Sequence, residues 1–314
     1  MKAYFLESRG KETRLELRDV PQPQPKDGQV LVKVRAAGLN RGEFIAGHGL
    51  TPPGAAKAAG QEAAGEVAGS GERVMGRAPG AFAEYVLMDR REALPVPAGL
   101  SFEQAASIPL TFTVVHDMLV AQGGLKAGDW LMVAGVSSGV GVAALQAAKA
   151  IGARVIGTSG SAEKLAKLRP LGLDVALRTR GAGLHEQVMQ ATGGQGVSLI
   201  VNTVGGSVVP ECIKALAFQG RMAICGYVDG VLHAEVDLDA VHAKRLRIFG
   251  VSNKLRNADQ RAETVRGFTA DFLPLFAAGK IAPLVDKVFS FAELQAAKTY
   301  MESDAHVGKI VVKL

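Results

Sequence analysis

Val133-Ala134-Gly135-Val136-Ser137-Ser138-Gly139-Val140-Gly141 stands between an apolar run at 130–134 and a stretch of helical composition at 140–150. This order predicts strand, tight turn, helix. Small residues at such a turn let the backbone approach a pyrophosphate, and the helix start offers N–H groups to its negative charge. Val136 and Ser138 stand where the GxGxxG pattern has its first two glycines. A turn of this composition also serves simply to pack a helix on a strand, and both readings stand at this point.

The next strand bears on the choice. Folds that take NADH carry an Asp or Glu about 20 residues after the turn, bonded to the ribose 2′-hydroxyl. Here Gly157-Thr158-Ser159-Gly160-Ser161-Ala162-Glu163-Lys164 places Ser159 at that position. Hydroxyls and a lysine suit a 2′-phosphate, which a carboxylate would repel. Ser159 and Lys164 therefore predict NADPH. Glu163 opposes this unless its helix turns it away, and Lys164 also reads as a solvated helix residue.

Outward from the turn, strands are expected at 130–134, 154–158, 174–177, 198–202 and 220–225, and helices at 140–150, 162–168, 184–191 and 209–217. Such alternation predicts a parallel sheet covered on both faces. The first hundred residues read differently. Val30-Leu31-Val32-Lys33-Val34-Arg35 alternates like a half-buried strand, and Phe82-Ala83-Glu84-Tyr85-Val86 repeats the pattern. Helices are expected near 259–278 and 292–302, and a strand at 309–314. That last strand is expected to rejoin the first domain, so the α/β unit is read as inserted: 1–113 with 260–314, and 114–259.

At 314 residues, 48% hydrophobic and 21% charged, the composition is that of an ordinary globular chain. No apolar run approaches the roughly 20 residues that span a bilayer, and the first residues lack a signal-peptide core. A cytoplasmic protein with no membrane association is expected. Cys212 and Cys225 are read as buried thiols. The net charge is +6, with its densest run at Lys244-Arg245-Leu246-Arg247, read as a solvated edge rather than a nucleic-acid surface.

The order of motifs resembles the quinone oxidoreductase and enoyl reductase branch of the medium-chain dehydrogenase/reductase superfamily. The resemblance rests on Ala36-Ala37-Gly38-Leu39-Asn40-Arg41 (AxGxN), Gly60-Gln61-Glu62-Ala63-Ala64-Gly65 (GxExAG), Gly80–Val86 (GxxAEYV) and Leu100–Ala106 (LSxExAA). It continues through Ser137–Gly141 (SGGVG), Asn202-Thr203-Val204-Gly205-Gly206 (DxVGG, with Asn for Asp) and His306–Val311 (HxGKxV). The fold implied is α/β: a GroES-like β-barrel domain plus an inserted Rossmann domain, a doubly wound parallel sheet, with the cofactor in the cleft between them and a homodimer as the assembly.

Zinc-dependent members of the superfamily place a cysteine where Asn40 stands and a histidine where Gln61 stands. Catalytic zinc needs three protein ligands, so the resemblance implies zinc-independent chemistry. What it implies is hydride transfer from NADPH to a quinone or α,β-unsaturated carbonyl, aided by a hydrogen-bond donor near the carbonyl oxygen. Asn40 is the implied catalytic residue and also lies beside the nicotinamide, although capping a turn is an alternative role. Ser137, Ser138, Gly139 and Val140 are implied for the pyrophosphate, Cys225 and Tyr227 for the nicotinamide ribose, and Asn253 for the approach to the ring.

Departures concern the pocket. Ile45 and Thr51 replace frequent aromatics. Thr179 replaces a tyrosine that helps hold the 2′-phosphate, leaving Arg178 or Arg180 to take its role. The loop between Gly65 and Arg73 is short. Glu43 and His48, the ionisable side chains near Asn40, are expected at the surface. The alternative is an NADPH-binding protein of this fold with a structural or RNA-binding role and little turnover.

Overall fold

Strand Trp130–Ala134 is buried at every position, as an apolar strand covered on both faces must be. It is central to a parallel sheet in the computed structural model, which describes residues 1–9, 12–45, 54–179 and 181–314. Among the described residues this sheet has six strands. They run Val175–Arg178, Arg154–Ser159, Trp130–Ala134, Val197–Asn202, Leu216–Ile224, Arg247–Gly250 across the sheet. All are parallel. Numbered from Trp130, this is the 3-2-1-4-5-6 order of a doubly wound sheet. Its direction reverses between Trp130–Ala134 and Val197–Asn202, so the crevice lies beyond their carboxyl ends.

Helix Gly139–Ile151 follows the turn and ends at Gly152, whose φ of 93° supplies the left-handed cap. A side chain at Gly141 would bring a Cβ within 2.4 Å of the Gly135 carbonyl oxygen. That position is therefore closed to any other residue while the helix keeps its place on the strand. Val136, for its part, is fully buried. A Cβ on Gly157 would meet Val136 Cγ1 at 2.7 Å, so the glycine in the neighbouring strand makes room for the valine in the turn.

The chain divides into two compact units: Met1–Thr113, Asn253–Ala277 and Pro283–Leu314 form the first, Val114–Ser252 with Ala278–Ala282 the second. The first resumes at Asn253 rather than at 260. Helix Ala258–Asp271 packs within it, and Phe268 and Phe276 join an aromatic group with Phe112. The helix expected over 259–278 is two: Ala258–Asp271 and Leu273–Ala277. Pro274 lacks the N–H that would continue the first.

In the first unit Gln29–Gly38 pairs antiparallel with Glu62–Val67, Tyr85–Asp89 and the last strand, Lys309–Lys313. Strands Arg73–Arg77, Ala93–Pro95 and Val285–Ser290 extend this sheet. Glu12–Asp19, Lys2–Arg9 and Gly54–Ala58 form a separate antiparallel one. The strand expected from Phe82 begins at Tyr85; Phe82 instead accepts a backbone bond from Tyr4 and fills the core. The short segment after Gly65 is a tight hairpin, closed by Val67 N–H to the Glu72 carbonyl at 2.9 Å. No helix among the described residues is long and apolar enough to cross a membrane.

Candidate functional site

In the second unit the turn is built from backbone and hydroxyls. The Ser138 hydroxyl donates to the Gly135 carbonyl (2.9 Å) and accepts from Gly141 N–H (3.0 Å), capping the helix. Gly139 and Val140 open that helix, so their N–H groups have no intrahelical acceptor. Ser137 precedes them, half-buried. Across the crevice, Thr203 donates to the Ala134 carbonyl at 2.8 Å. The fully buried Asn202 accepts from the N–H groups of Val204 (2.9 Å) and Gly205 (3.0 Å) and donates to the Gly205 carbonyl (2.9 Å).

That last bond gives Asn202 a role an aspartate cannot fill. In Asn202→Asp a carboxylate oxygen would face the Gly205 carbonyl with no proton between them. We expect a loss of about 1–3 kcal/mol at neutral pH, lessening as pH falls and the acid takes a proton. Urea unfolding at pH 7 and pH 5 measures it; equal stability of both proteins at pH 7 would refute this account of the turn.

Ser159 ends its strand and is in register with Arg178 on the neighbouring strand. The Ser159 hydroxyl accepts from Ser161 N–H (3.2 Å), and Ser161 caps helix Ala162–Leu168 by accepting from Lys164 N–H (3.3 Å). Ser159, Lys164 and Arg178 thus share one corner of the sheet's carboxyl edge. Glu163 is turned out to an exposed ion pair with Lys167 at 2.9 Å. Thr179 is engaged within its own loop, accepting from Gly181 N–H (3.1 Å) and donating to the Ala182 carbonyl (3.3 Å). Arg180, His48 and Thr51 lie outside the described residues.

Cys225 N–H bonds the Asn202 carbonyl at 2.9 Å, which ties two strand ends together. Cys212 is buried as expected, but Cys225 is only half-buried; desolvation pushes its thiol up to about 12, the direction that favours the neutral thiol. Tyr227 is exposed in the segment that follows. Lys244, in the basic run, donates to the carbonyls of Lys214 (2.8 Å) and Leu216 (2.9 Å). Those bonds tie the run to its own unit.

In the first unit Asn40 belongs to a buried polar network. It stands between Gln29–Gly38 and the short helix Arg41–Phe44, as N-cap without a side-chain cap bond. Its amide donates to Glu43 Oε1 (3.1 Å) and Glu62 Oε1 (2.9 Å), while Oδ1 accepts from Lys309 Nζ (2.8 Å). Lys309 uses its other two N–H groups on the Leu39 carbonyl and Glu62 Oε1, both 2.8 Å. Glu62 Oε2 accepts from Leu110 N–H (2.9 Å). A Cβ on Gly38 would lie 2.6 Å from Glu62 Oε1, so the glycine admits the carboxylate.

Glu43 is buried, 3% exposed, and not at the surface. Burial first, then the nearby Glu62 carboxylate, raises it to about 8 against the pull of the Asn40 amide, Lys309 and Gly60 N–H. Sequence reasoning assigned Glu62 and Lys309 no role. Both belong to the motifs quoted above, GxExAG and HxGKxV, and a charged residue inside an apolar strand motif was the available signal.

Asn253 is half-buried in the first unit and lines a cleft with Arg77, Glu92 and Arg261. Among the described residues no three His, Cys, Asp or Glu side chains are grouped to hold a metal ion.

A family model described as zinc-binding dehydrogenase matches residues 139–265. Prostaglandin reductase-3 of Bos taurus is 32% identical over 95% of this chain and 84% of its own length. The chain belongs to the medium-chain dehydrogenase/reductase superfamily. Within that superfamily of oxidoreductases its relatives differ widely in size. A phenolphthiocerol/phthiocerol polyketide synthase subunit of Mycobacterium tuberculosis is 28% identical over 97% of this chain, which spans only 14% of that protein. The quinone oxidoreductase from Thermus thermophilus, solved also in its complex with NADPH, superposes with a TM-score of 0.86 at 29% identity over 100% of both chains. The span matched by the dehydrogenase model does not include Asn40 or Gln61.

Proposed function

We propose that this reductase binds NADPH and delivers hydride to a quinone or α,β-unsaturated carbonyl without zinc. The observation that carries the reading is the corner formed by Ser159 and Arg178, paired in register at the carboxyl edge of the sheet, with the nearby Glu163 engaged by Lys167 instead. A hydroxyl and a guanidinium fit a 2′-phosphate, and Lys164 stands one helical turn away. Gly139 and Val140 would hold the pyrophosphate through their N–H groups, beside Ser137 and Ser138. Within the second unit, Cys225 and Tyr227 would line the nicotinamide end.

When bound, NADPH supplies the hydride equivalent. The chain's own work is to orient and to exclude water. Asn40 is fixed from three sides, and its two amide hydrogens are engaged by the Glu43 carboxyl and the Glu62 carboxylate. It would therefore act through Oδ1, whose second lone pair has no donor among the described residues, and position its neighbour rather than donate to the carbonyl. The proton that completes the reduction comes from water.

The test follows NADPH absorbance with a panel of quinones and enones. Oxidation by at least one acceptor, with NADPH favoured over NADH, is expected. In Ser159→Asp the preference should fall by roughly ten- to hundredfold, the effect of losing a charge-assisted bond and adding a repulsion. An unchanged cofactor ratio would remove Ser159 from the site, and no oxidation of NADPH by any acceptor would sink the enzyme reading. The homodimer belongs to the same proposal: the edge strand Arg247–Gly250 leaves Ile248 42% exposed. Light scattering should return twice the chain mass, and Ile248→Lys should return the monomer.

A further inference from the structure

The cleft lined by Arg77, Glu92, Arg261 and Asn253 lies wholly within the first unit and carries more positive charge than it neutralises. Glu92, 3% exposed, is its carboxylate, and Arg261 Nε takes it at 2.9 Å. Arg261 also donates to the Arg256 carbonyl at 2.8 Å. The two hydroxyls on the cleft wall are engaged: Thr113 donates to the Pro109 carbonyl (2.6 Å) and Thr264 to the Gln260 carbonyl (3.1 Å).

Arg77 is different. It is half-buried at the end of strand Arg73–Arg77, and among the described residues its guanidinium meets no hydrogen-bond acceptor. Burial, then repulsion from Arg261, presses its pKa down, with Glu92 opposing. The Asn253 side-chain amide also has no partner among the described residues. A desolvated guanidinium has five N–H donors and cannot give up its proton in this range. Leaving it beside a second guanidinium with a single shared carboxylate is costly unless something anionic completes the group.

We propose that Arg77, Arg261 and Asn253 form a binding site for an oxyanion of the carboxylate or phosphate class. A planar guanidinium receives such a group through two parallel bonds. The anion has two possible sources, an acid group on the substrate or a free phosphate in solution, and both present the same oxygens.

The first arm uses inorganic phosphate and does not depend on reductase activity. Wild type, Arg77→Met and Asn253→Ala are titrated with sodium phosphate against sodium chloride at matched ionic strength, and Tm is followed. Phosphate should raise the wild-type Tm saturably by roughly 2–4 °C more than chloride does, as expected for a ligand well above its Kd. Arg77→Met should lose this response and Asn253→Ala retain part of it. Arg77→Met should also melt higher than wild type in phosphate-free buffer, because it removes the repulsion from Arg261. A saturable response of equal size in wild type and Arg77→Met, or none in wild type, overturns the site.

The second arm compares an enone carrying a carboxylate with its methyl ester. If the acid group is the natural occupant, Arg77→Met lowers kcat/KM for the acid at least about tenfold relative to the ester, the effect of one charge-assisted bond. A phosphate response lost in Arg77→Met, with the acid-to-ester ratio unchanged, assigns the same site to a free anion. Failure of reduction altogether leaves the first arm intact.

Discussion

Lys309→Met is expected to lower the stability of the first unit by about 3–5 kcal/mol, the range for removing one partner of a buried ion pair. Lys309 is 7% exposed and Glu62 fully buried, and all three ammonium hydrogens are engaged. Methionine matches the stem in size but satisfies none of the three acceptors. Glu62 would keep only the Asn40 amide and Leu110 N–H, too little to hold a buried charge. The double variant Lys309→Met with Glu62→Gln should recover a large part of the loss, because a neutral amide needs no counter-ion. Urea unfolding of the wild type, both singles and the double gives the coupling directly. Additive losses would mean that Lys309 and Glu62 are not a pair in solution.

The same residues mark where the sequence stopped being legible. The α/β half was read with few errors because its strands are continuous apolar runs between helices, a pattern local in the chain. Helices Ala162–Leu168 and Leu184–Ala191 fall where the pattern placed them. Strand Leu216–Ile224 begins before the expected 220, because Leu216 already pairs with Val197. Phe82 misled the reading for a tertiary reason. Its alternation is real, but its backbone partners are Tyr4 and Ala59, both distant in the chain.

The polar network was invisible for a similar reason. Glu62 and Lys309 are 247 positions apart, and nothing in the neighbours of either residue reveals that the other will be there. Glu43 looked like a surface residue because a lone carboxylate after a strand usually is one. Only the packing of Asn40, Gly60 and Glu62 around it makes it a buried acid. By contrast, the pattern puts Ser159 and Arg178 directly after two expected strands. Both residues end strands, and strand ends in a parallel sheet fall along one edge.

Glu43 should make stability fall with rising pH in a window that Glu43→Gln abolishes. Its ordinary value is 4.5 and its folded value about 8. Below pH 4.5 the carboxyl is protonated in folded and unfolded chains alike, and its full contribution to stability is present. Between these values the unfolded chain releases a proton that the folded chain keeps, so stability drops by up to about 1.4 kcal/mol per pH unit. Above pH 8 both states have lost the proton and the slope ends. The groups facing Glu43 that set this value are Asn40, Gly60 N–H, Glu62 and Lys309, with Lys57 feeling its charge. Glu43→Gln keeps an acceptor for the Asn40 amide and has no proton to lose. Wild type and variant should therefore be close in stability near pH 4.5. The variant should then gain on wild type as pH rises, by on the order of several kcal/mol at pH 8 and above. The measurement is the difference between their urea midpoints from pH 4.5 to 9, which cancels groups common to both proteins. Parallel curves across that range would show that Glu43 is ionised in the folded chain, and with it that the network around Asn40 holds two charged carboxylates on one ammonium.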